Sequence, residues 1–140
     1  MKAAFILVTS LLLLLLGCAS TENTASSRNM LVENATFNSW SRPPSSGSDI
    51  PERGIDITVT IKNWPQGYMP HYIVYNKRKS FNASIADSSE NRVIIEARII
   101  QASSVIAETS ESTEASDRLV FATSEGEKGY IEINNWQEAK

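Results

Sequence analysis

Apolar and polar residues alternate in short blocks from Met30 onward. The clearest block covers residues 54–63, where one face carries aliphatic side chains and the other carries charged and hydroxyl side chains. The aliphatic residues are Ile55, Ile57, Val59 and Ile61. A period of two with one wet face predicts a half-buried antiparallel strand.

Several further blocks predict strands and turns. Residues 92–100 are apolar on both faces, which predicts a central strand, and residues 103–108 are expected to form another. Residues 64–67 contain Pro and Gly and predict a turn, whereas residues 124–129 predict a hairpin loop. Pro70 lacks an amide donor, so we expect it to precede a strand. Shorter alternating sets are Phe81, Ala83 and Ile85; Leu119 and Phe121; and Ile131 and Ile133.

The fold class predicted from these blocks is all-β. Strands at this spacing favour an immunoglobulin-like or fibronectin-like antiparallel β-sandwich of about seven strands within residues 30–140. The cysteine pair of true immunoglobulin domains is lacking, since Cys18 is the single cysteine. Residues 41–53, rich in Pro, Ser and Gly, are expected to form a long loop without structure of its own.

The first eighteen residues follow a different pattern. An apolar stretch from Ala3 to Leu16 has the length of a signal-peptide core and is shorter than the ~20 residues that span a bilayer. It ends in Leu15-Leu16-Gly17-Cys18. This arrangement resembles the signal peptide and lipobox of bacterial lipoproteins, with Leu15 three places before the cysteine and Gly17 immediately before it.

The resemblance implies that residues 1–17 are removed and that Cys18 is lipidated on sulfur and often acylated on its new amine. Two or three acyl chains hold a protein on a membrane without a spanning helix. Ala19 after the cysteine favours the outer membrane, by analogy with Gram-negative lipoproteins. We therefore expect a cell-envelope protein in which residues 18–29, the lipidated cysteine and a flexible tether, join the membrane to the domain at residues 30–140.

Charge and composition exclude some partners. The chain has a formal net charge of −3, and removal of Lys2 with the signal peptide makes it more acidic by one charge. Nucleic-acid binding requires a basic patch, and the one short basic cluster is Lys77, Arg78 and Lys79. We predict no nucleic-acid partner and no cofactor.

Catalytic chemistry has weak support. His71 is the single histidine, and Met69 beside it does not complete a metal site. A Gly-x-Ser-x-Gly nucleophile motif is absent from the sequence. We predict no enzymatic activity and no catalytic or metal site, although a hydrolase using Asp49, Glu52 or Glu96 stays an alternative.

Aromatic residues are the main binding candidates. If the last strand alternates regularly, Ile131 and Ile133 point inward, so Tyr130 and Trp136 share the opposite face. Aromatic side chains suit contacts with proteins and stacking on sugars. The sequence thus favours a non-enzymatic binding or assembly module for another envelope protein, with addition of a partner strand as one mode of contact. The alternative is a carbohydrate-binding lipoprotein. The candidate binding residues are Trp40, Trp64, Tyr68, Tyr130 and Trp136.

Overall fold

The computed structural model describes residues 29–44, 47, 49–102 and 109–140. The signal peptide, Cys18, the tether up to residue 28 and the strand predicted at residues 103–108 lie outside the described residues. Within the described part of the chain, no helix is long and apolar enough to span a bilayer.

The described residues form ten β-strands in two five-stranded sheets. The first sheet has the order β10-β1-β2-β6-β5, and the second has the order β7-β4-β3-β8-β9. All pairings are antiparallel except that of β1 with β10. The strands are β1 Leu31–Arg42, β2 Glu52–Lys62, β3 Met69–Tyr75, β4 Arg78–Ser80, β5 Ser84–Ser89, β6 Arg92–Ala102, β7 Thr109–Glu111, β8 Arg118–Ala122, β9 Lys128–Glu132 and β10 Trp136–Glu138.

One hydrophobic core lies between the two sheets. The first sheet contributes the alternating aliphatic residues of β2 and β6, among them Val59 and Ile95, which are fully buried. The second contributes Ile73, Leu119 and Phe121, also fully buried. The period-two prediction is therefore confirmed for β2 and β6, whereas in β8 Val120 is buried as well as Leu119 and Phe121. The molecule is an all-β protein consistent with a β-sandwich.

The chain changes sheets between β9 and β10. Ile133 follows the end of β9, remains buried, and donates its N–H to the carbonyl of Asp117 at 3.0 Å. Three residues later Trp136 begins β10, which pairs parallel with β1 in the first sheet at Ala35, Thr36 and Phe37. This crossing closes one side of the core.

Several local expectations were wrong. The structure has ten strands in its described residues where about seven were predicted, because three-residue strands such as β4 and β10 are too short to show a period. β1 and β2 extend into the predicted loop at residues 41–53 and leave residues 43–51 between them. Pro70 lies inside β3, where a register shift follows it and the neighbouring strand β4 does not reach.

Both predicted turns are present. Tyr68 donates its N–H to the carbonyl of Pro65 at 3.3 Å, and Gly67 has a φ of 84°. The hairpin between β8 and β9 places Gly126 at a φ of 84°. A positive φ is a conformation that glycine adopts without the steric cost of a Cβ, so both turns use the residue that the sequence supplies there.

Candidate functional site

Trp136 does not lie on the face predicted for it. Its side chain is half-buried and packs against the core, with its ring 4.8 Å from that of Tyr75 in a T-shaped contact. Its Nε1 donates to a carboxylate oxygen of Asp117 at 2.9 Å. The expected alternation fails because the chain leaves the second sheet before Trp136, whereas Tyr130, still within β9, is exposed as predicted.

Trp64 and Tyr68 close one end of the core. Both rings contact the buried ring of Phe121, with centroid distances of 5.6 and 5.5 Å. Trp64 also donates its Nε1–H to the carbonyl of Tyr68 at 3.1 Å. The two residues therefore pack around the turn at residues 65–68, which gives them a structural role in the described protein.

Trp40, like Tyr130, lies on an outer sheet surface. It pairs with Gly54 across β1 and β2, on the face of the first sheet turned away from the core. The ring lies so close to Gly54 that a Cβ built there would be 2.7 Å from Cε2 of the indole. Glycine at position 54 is thus required for the tryptophan to lie against the sheet.

Charged side chains fix the Trp40 ring. Its Nε1 donates to Oδ1 of Asp56 at 3.1 Å, and that carboxylate also accepts two hydrogen bonds from Arg98 at 2.6 and 2.9 Å. The guanidinium carbons of Arg98 and Arg42 lie 5.2 and 5.0 Å from the indole centroid, within cation–π range. We call Trp40, Arg42, Asp56 and Arg98 the Trp40 surface.

The electrostatics of this surface follow from the ion pair. Hydrogen bonds from the Arg98 guanidinium hold the pKa of Asp56 below its usual value, with a smaller contribution from Trp40, although partial burial opposes this. The same hydrogen bonds raise the pKa of Arg98. Asp56 therefore remains ionised at neutral pH and is poorly suited to act as a general acid.

Arg98 is positioned from the opposite side by Asn82. The Asn82 Oδ1 accepts the backbone N–H of Arg98 at 2.9 Å, and its Nδ2 donates to the Arg98 carbonyl at 3.1 Å. Asn82 thereby takes the place of a paired strand residue just before β5 begins. Buried Ser80 donates its hydroxyl to the same carbonyl at 2.7 Å, although its geometry also fits donation to Asn82 Oδ1. Arg98 is therefore held at both its backbone and its side chain.

A shallow polar groove of about 400 Å³ adjoins the Trp40 surface. Its side chains come from neighbouring strands, because Thr58 and Ser84 both face Glu96 in register across β2, β6 and β5. Glu96 is exposed and has no hydrogen bond or ion pair within the described residues. The polar residues lining the groove are Asp56, Thr58, Asn82, Ser84, Glu96 and Arg98.

The remaining candidate residues do not assemble into one site. Glu52 and Glu96 are separated by six residues of register along β2, a distance of about 20 Å at the rise of a strand. A glycosidase needs two carboxyl groups within about 10 Å of each other. Asp49 is exposed and precedes β2. The carboxylates Asp49, Glu52 and Glu96 therefore do not converge.

His71 lies in β3 against aromatic rings, with centroids of Tyr72 and Phe81 at 5.3 and 6.3 Å. Met69, at the start of the same strand, is largely exposed. The described residues contain no group of three or more His, Cys, Asp or Glu residues able to hold a metal ion.

A polar network on the outer face of the second sheet was not predicted from the sequence. Glu114 lies at its centre, accepting the Tyr72 hydroxyl at 3.1 Å and pairing with Arg118 at 3.2 Å and Lys79 at 3.8 Å. Burial raises the pKa of Tyr72, and its hydrogen bond to Glu114 adds to this. The network pins the segment before β8 to the sheet. The sequence offers no periodic signal for it, because Glu114 lies outside any strand.

A second cavity, of about 410 Å³, opens at the side where the chain changes sheets. It lies between the first residues of β1 and the segment from Ile131 to Gln137.

A comparison of the chain with models of protein families, with curated proteins and with solved structures finds no match.

Proposed function

We propose that this chain is a non-enzymatic binding module of the bacterial cell envelope, anchored by lipid at Cys18 and contacting another envelope protein through the Trp40 surface. The anchor rests on the lipobox-like sequence at residues 15–18. The contact rests on the Trp40 surface, which is the single observation that carries the proposal. The outer membrane is the proposed location, on the basis of Ala19.

The position of the Trp40 surface supports this role. The described chain enters the domain at Asn29 and begins β1 at Leu31, and Trp40 lies nine residues further along the same strand. At about 3.3 Å per residue, the tryptophan is ~30 Å from the end at which the tether enters. The eleven residues of the tether, 19–29, add about 20 Å as a coil. Trp40 would thus lie well away from the lipid surface, within reach of a partner.

The composition of the surface also supports a protein contact. Tryptophan and arginine are enriched among the residues that dominate binding energy at protein interfaces. Here the hydrogen bond from Trp40 to Asp56 and the fixed Arg98 guanidinium hold the aromatic ring in one orientation. A preorganised ring loses less conformational entropy on binding than a mobile one. The remaining exposed face is polar, as is typical of the rim of a non-obligate interface.

For the fold, we propose an immunoglobulin-like or fibronectin-like arrangement. The support consists of two sheets around one core, mostly antiparallel pairing, and a chain that passes from the second sheet to the first between β9 and β10. Such a domain would present its sheet faces and its end loops as binding surfaces, as the Trp40 proposal requires.

Photo-crosslinking in intact cells tests the partner. A photoreactive residue at Asn38, which is exposed and adjoins Asp56 in register, samples the Trp40 surface. The same residue at Lys128, exposed on β9 of the other sheet, is the matched control. The proposal predicts a discrete crosslinked species from position 38 that is weak or absent from position 128. Equal crosslinking from both positions would contradict it.

Mass spectrometry of the membrane-extracted chain tests the anchor. The expected product begins at Cys18 and carries the mass of two or three acyl chains. A free thiol at Cys18, or an uncut amino terminus, would refute lipid attachment.

A carbohydrate ligand is the second candidate, favoured by the groove beside the Trp40 surface. Hydroxyl, amide and carboxylate side chains from Thr58, Ser84, Asn82 and Glu96 line it, and they are the groups that bind sugar hydroxyls. A glycan array, followed by quenching of tryptophan fluorescence, separates this candidate from a protein partner. Sugar-dependent quenching that disappears in Trp40→Ala would favour the carbohydrate.

A further inference from the structure

The edge of the first sheet is incompletely covered by β10. β1 has twelve residues, but β10 pairs with only Ala35, Thr36 and Phe37 among them. On this side of β1, residues 31–34 have no strand neighbour within the described part of the chain. A four-residue stretch of this kind directs about two N–H and two C=O groups outward. Unpaired edges of this kind are templates for another strand.

A bulge lies within this stretch of β1. The register of β1 with β2 shifts between Val32 and Asn34, which leaves Glu33 as the extra residue. The Glu33 carboxylate is held by Lys62 and by Arg92, at 2.6 and 3.9 Å. Its side chain is thus engaged by cations of β2 and β6, while its backbone stays outside the β1–β2 ladder.

The cavity of about 410 Å³ lies directly beside this edge. Its apolar lining includes Met30, Ala35 and Ile131, all of which are buried core residues. This apolar lining can receive one apolar side chain of an extended peptide whose alternate residues point into the cavity. Leu31, exposed over 59% of its surface, stands at the mouth.

The rim of the cavity is rich in amides. Asn34, Asn134, Asn135 and Gln137 line it, and none of their side chains has a hydrogen-bond partner within the described residues. An amide offers both a donor and an acceptor, which matches the alternating groups of a peptide main chain. These side chains would supplement the pairing made by the backbone of β1.

The charge of the lining indicates which peptide fits. Its charged residues are Glu33, which is already paired, and Glu132, whose carboxylate accepts a hydroxyl from Ser116 at 3.0 Å. Arg118 donates to the same Ser116 hydroxyl at 2.8 Å, but no cation of the described residues lies within ion-pair distance of Glu132 itself. No lysine or arginine lines the cavity. A peptide with a basic residue near Glu132 would therefore be favoured. A second copy of this chain would bring carboxylate against carboxylate, so charge argues against it.

We propose that the edge of β1 at residues 31–34, together with the adjacent cavity, binds an extended segment of the partner protein that carries alternating apolar residues and a flanking basic residue. The segment would continue the line of β10 and add a strand to the first sheet. The inference rests on the proposed function, since it supplies a second point of contact for the same partner.

A synthetic peptide tests this site on the full-length lipoprotein in detergent. The probe has six residues, with valine and threonine alternating between terminal lysines, and carries a fluorescent label for anisotropy measurements. The control peptide has the same side chains but N-methyl groups on alternate backbone nitrogens, which removes strand pairing. Glu132→Lys is the test variant. Glu127→Lys, at the exposed hairpin, makes the same charge change away from the cavity.

The proposal predicts saturable binding of the unmethylated peptide, loss of binding on N-methylation, and binding about tenfold weaker in Glu132→Lys but unchanged in Glu127→Lys. Equal binding of the two peptides, equal effects of the two variants, or no saturation up to about millimolar peptide would overturn it. Self-association of the lipoprotein that the peptide displaces would overturn the choice of occupant.

The two proposals fail separately. Crosslinking from position 38 that persists when the peptide does not bind overturns the strand-addition site alone. If no partner is crosslinked from position 38, the proposed function is overturned instead.

Discussion

Substitution of Gly54 by alanine tests whether the Trp40 ring is held where the structure places it. The new Cβ would lie 2.7 Å from the indole Cε2 and 2.8 Å from the carbonyl oxygen of Ile99, whereas ordinary van der Waals contact begins at 3.4 Å. The ring must therefore move by about 0.7 Å or more. The movement weakens the hydrogen bond between Trp40 and Asp56 and the contact with Arg98.

The expected loss of stability combines opposing terms. Overpacking costs about 1–3 kcal/mol. A weakened hydrogen bond to a charged group costs about 1 kcal/mol more. Replacing glycine within a strand returns about 0.5–1 kcal/mol, because the unfolded chain loses entropy. The net expectation is a destabilisation of about 2 kcal/mol, measurable as a lower midpoint of urea unfolding.

A double-mutant cycle with Trp40→Ala separates the cost of the contact with the indole ring from the cost of the contact with the Ile99 carbonyl. Without the indole, Gly54→Ala should cost about 1 kcal/mol less, since the contact with the Ile99 carbonyl is all that persists. A neutral or stabilising effect of Gly54→Ala in the otherwise unchanged protein, or an equal cost in both backgrounds, would refute the placement of Trp40 on Gly54.

Three further predictions concern stability. Asp56→Asn should cost at most about 1 kcal/mol at pH 7, because the ion pair is more than two-fifths exposed. The pKa of Asp56 in the folded protein lies below its usual 3.8, so the ion pair stabilises the fold above about pH 4. The urea midpoints of Asp56→Asn and of the unchanged protein should therefore converge as the pH falls toward about 3, and a constant difference would contradict this. Trp136→Phe should cost about 2 kcal/mol in urea unfolding through loss of the bond to Asp117, and an unchanged midpoint would argue against that bond. Gly126→Ala should lower the thermal midpoint through about 1 kcal/mol of strain at φ 84°, whereas an unchanged midpoint would contradict that turn geometry.

The sequence predicted the parts of the fold that depend on regular alternation. β2 and β6 bury their alternate aliphatic residues, and the β8–β9 hairpin forms at its glycine, because each of these features depends on neighbours within one strand or turn. β1 gave no comparable pattern. Of its twelve residues Ala35 alone is buried, and the bulge at Glu33 shifts the register of the strand.

The site depended on contacts that local patterns do not carry. Asp56 and Arg98 are 42 residues apart and meet because β2 and β6 pair in one register. Trp136 was misplaced because parity holds only along a continuous strand, and the chain changes sheets after Ile133. The sequence contained one usable signal for the Trp40 surface: Asp56 and Arg98 carry opposite charges on the solvent-facing sides of two clearly predicted strands.

The most direct measurement of the central claim compares crosslinking from position 38 in Trp40→Ala and in Tyr130→Ala, at equal protein abundance in intact cells. Tyr130 is an exposed aromatic residue on the other sheet, so it controls for the loss of a ring. The account predicts that Trp40→Ala reduces the crosslinked partner at least about tenfold, as expected for an interface hot spot, and that Tyr130→Ala leaves it unchanged. Undiminished crosslinking in Trp40→Ala would contradict the account.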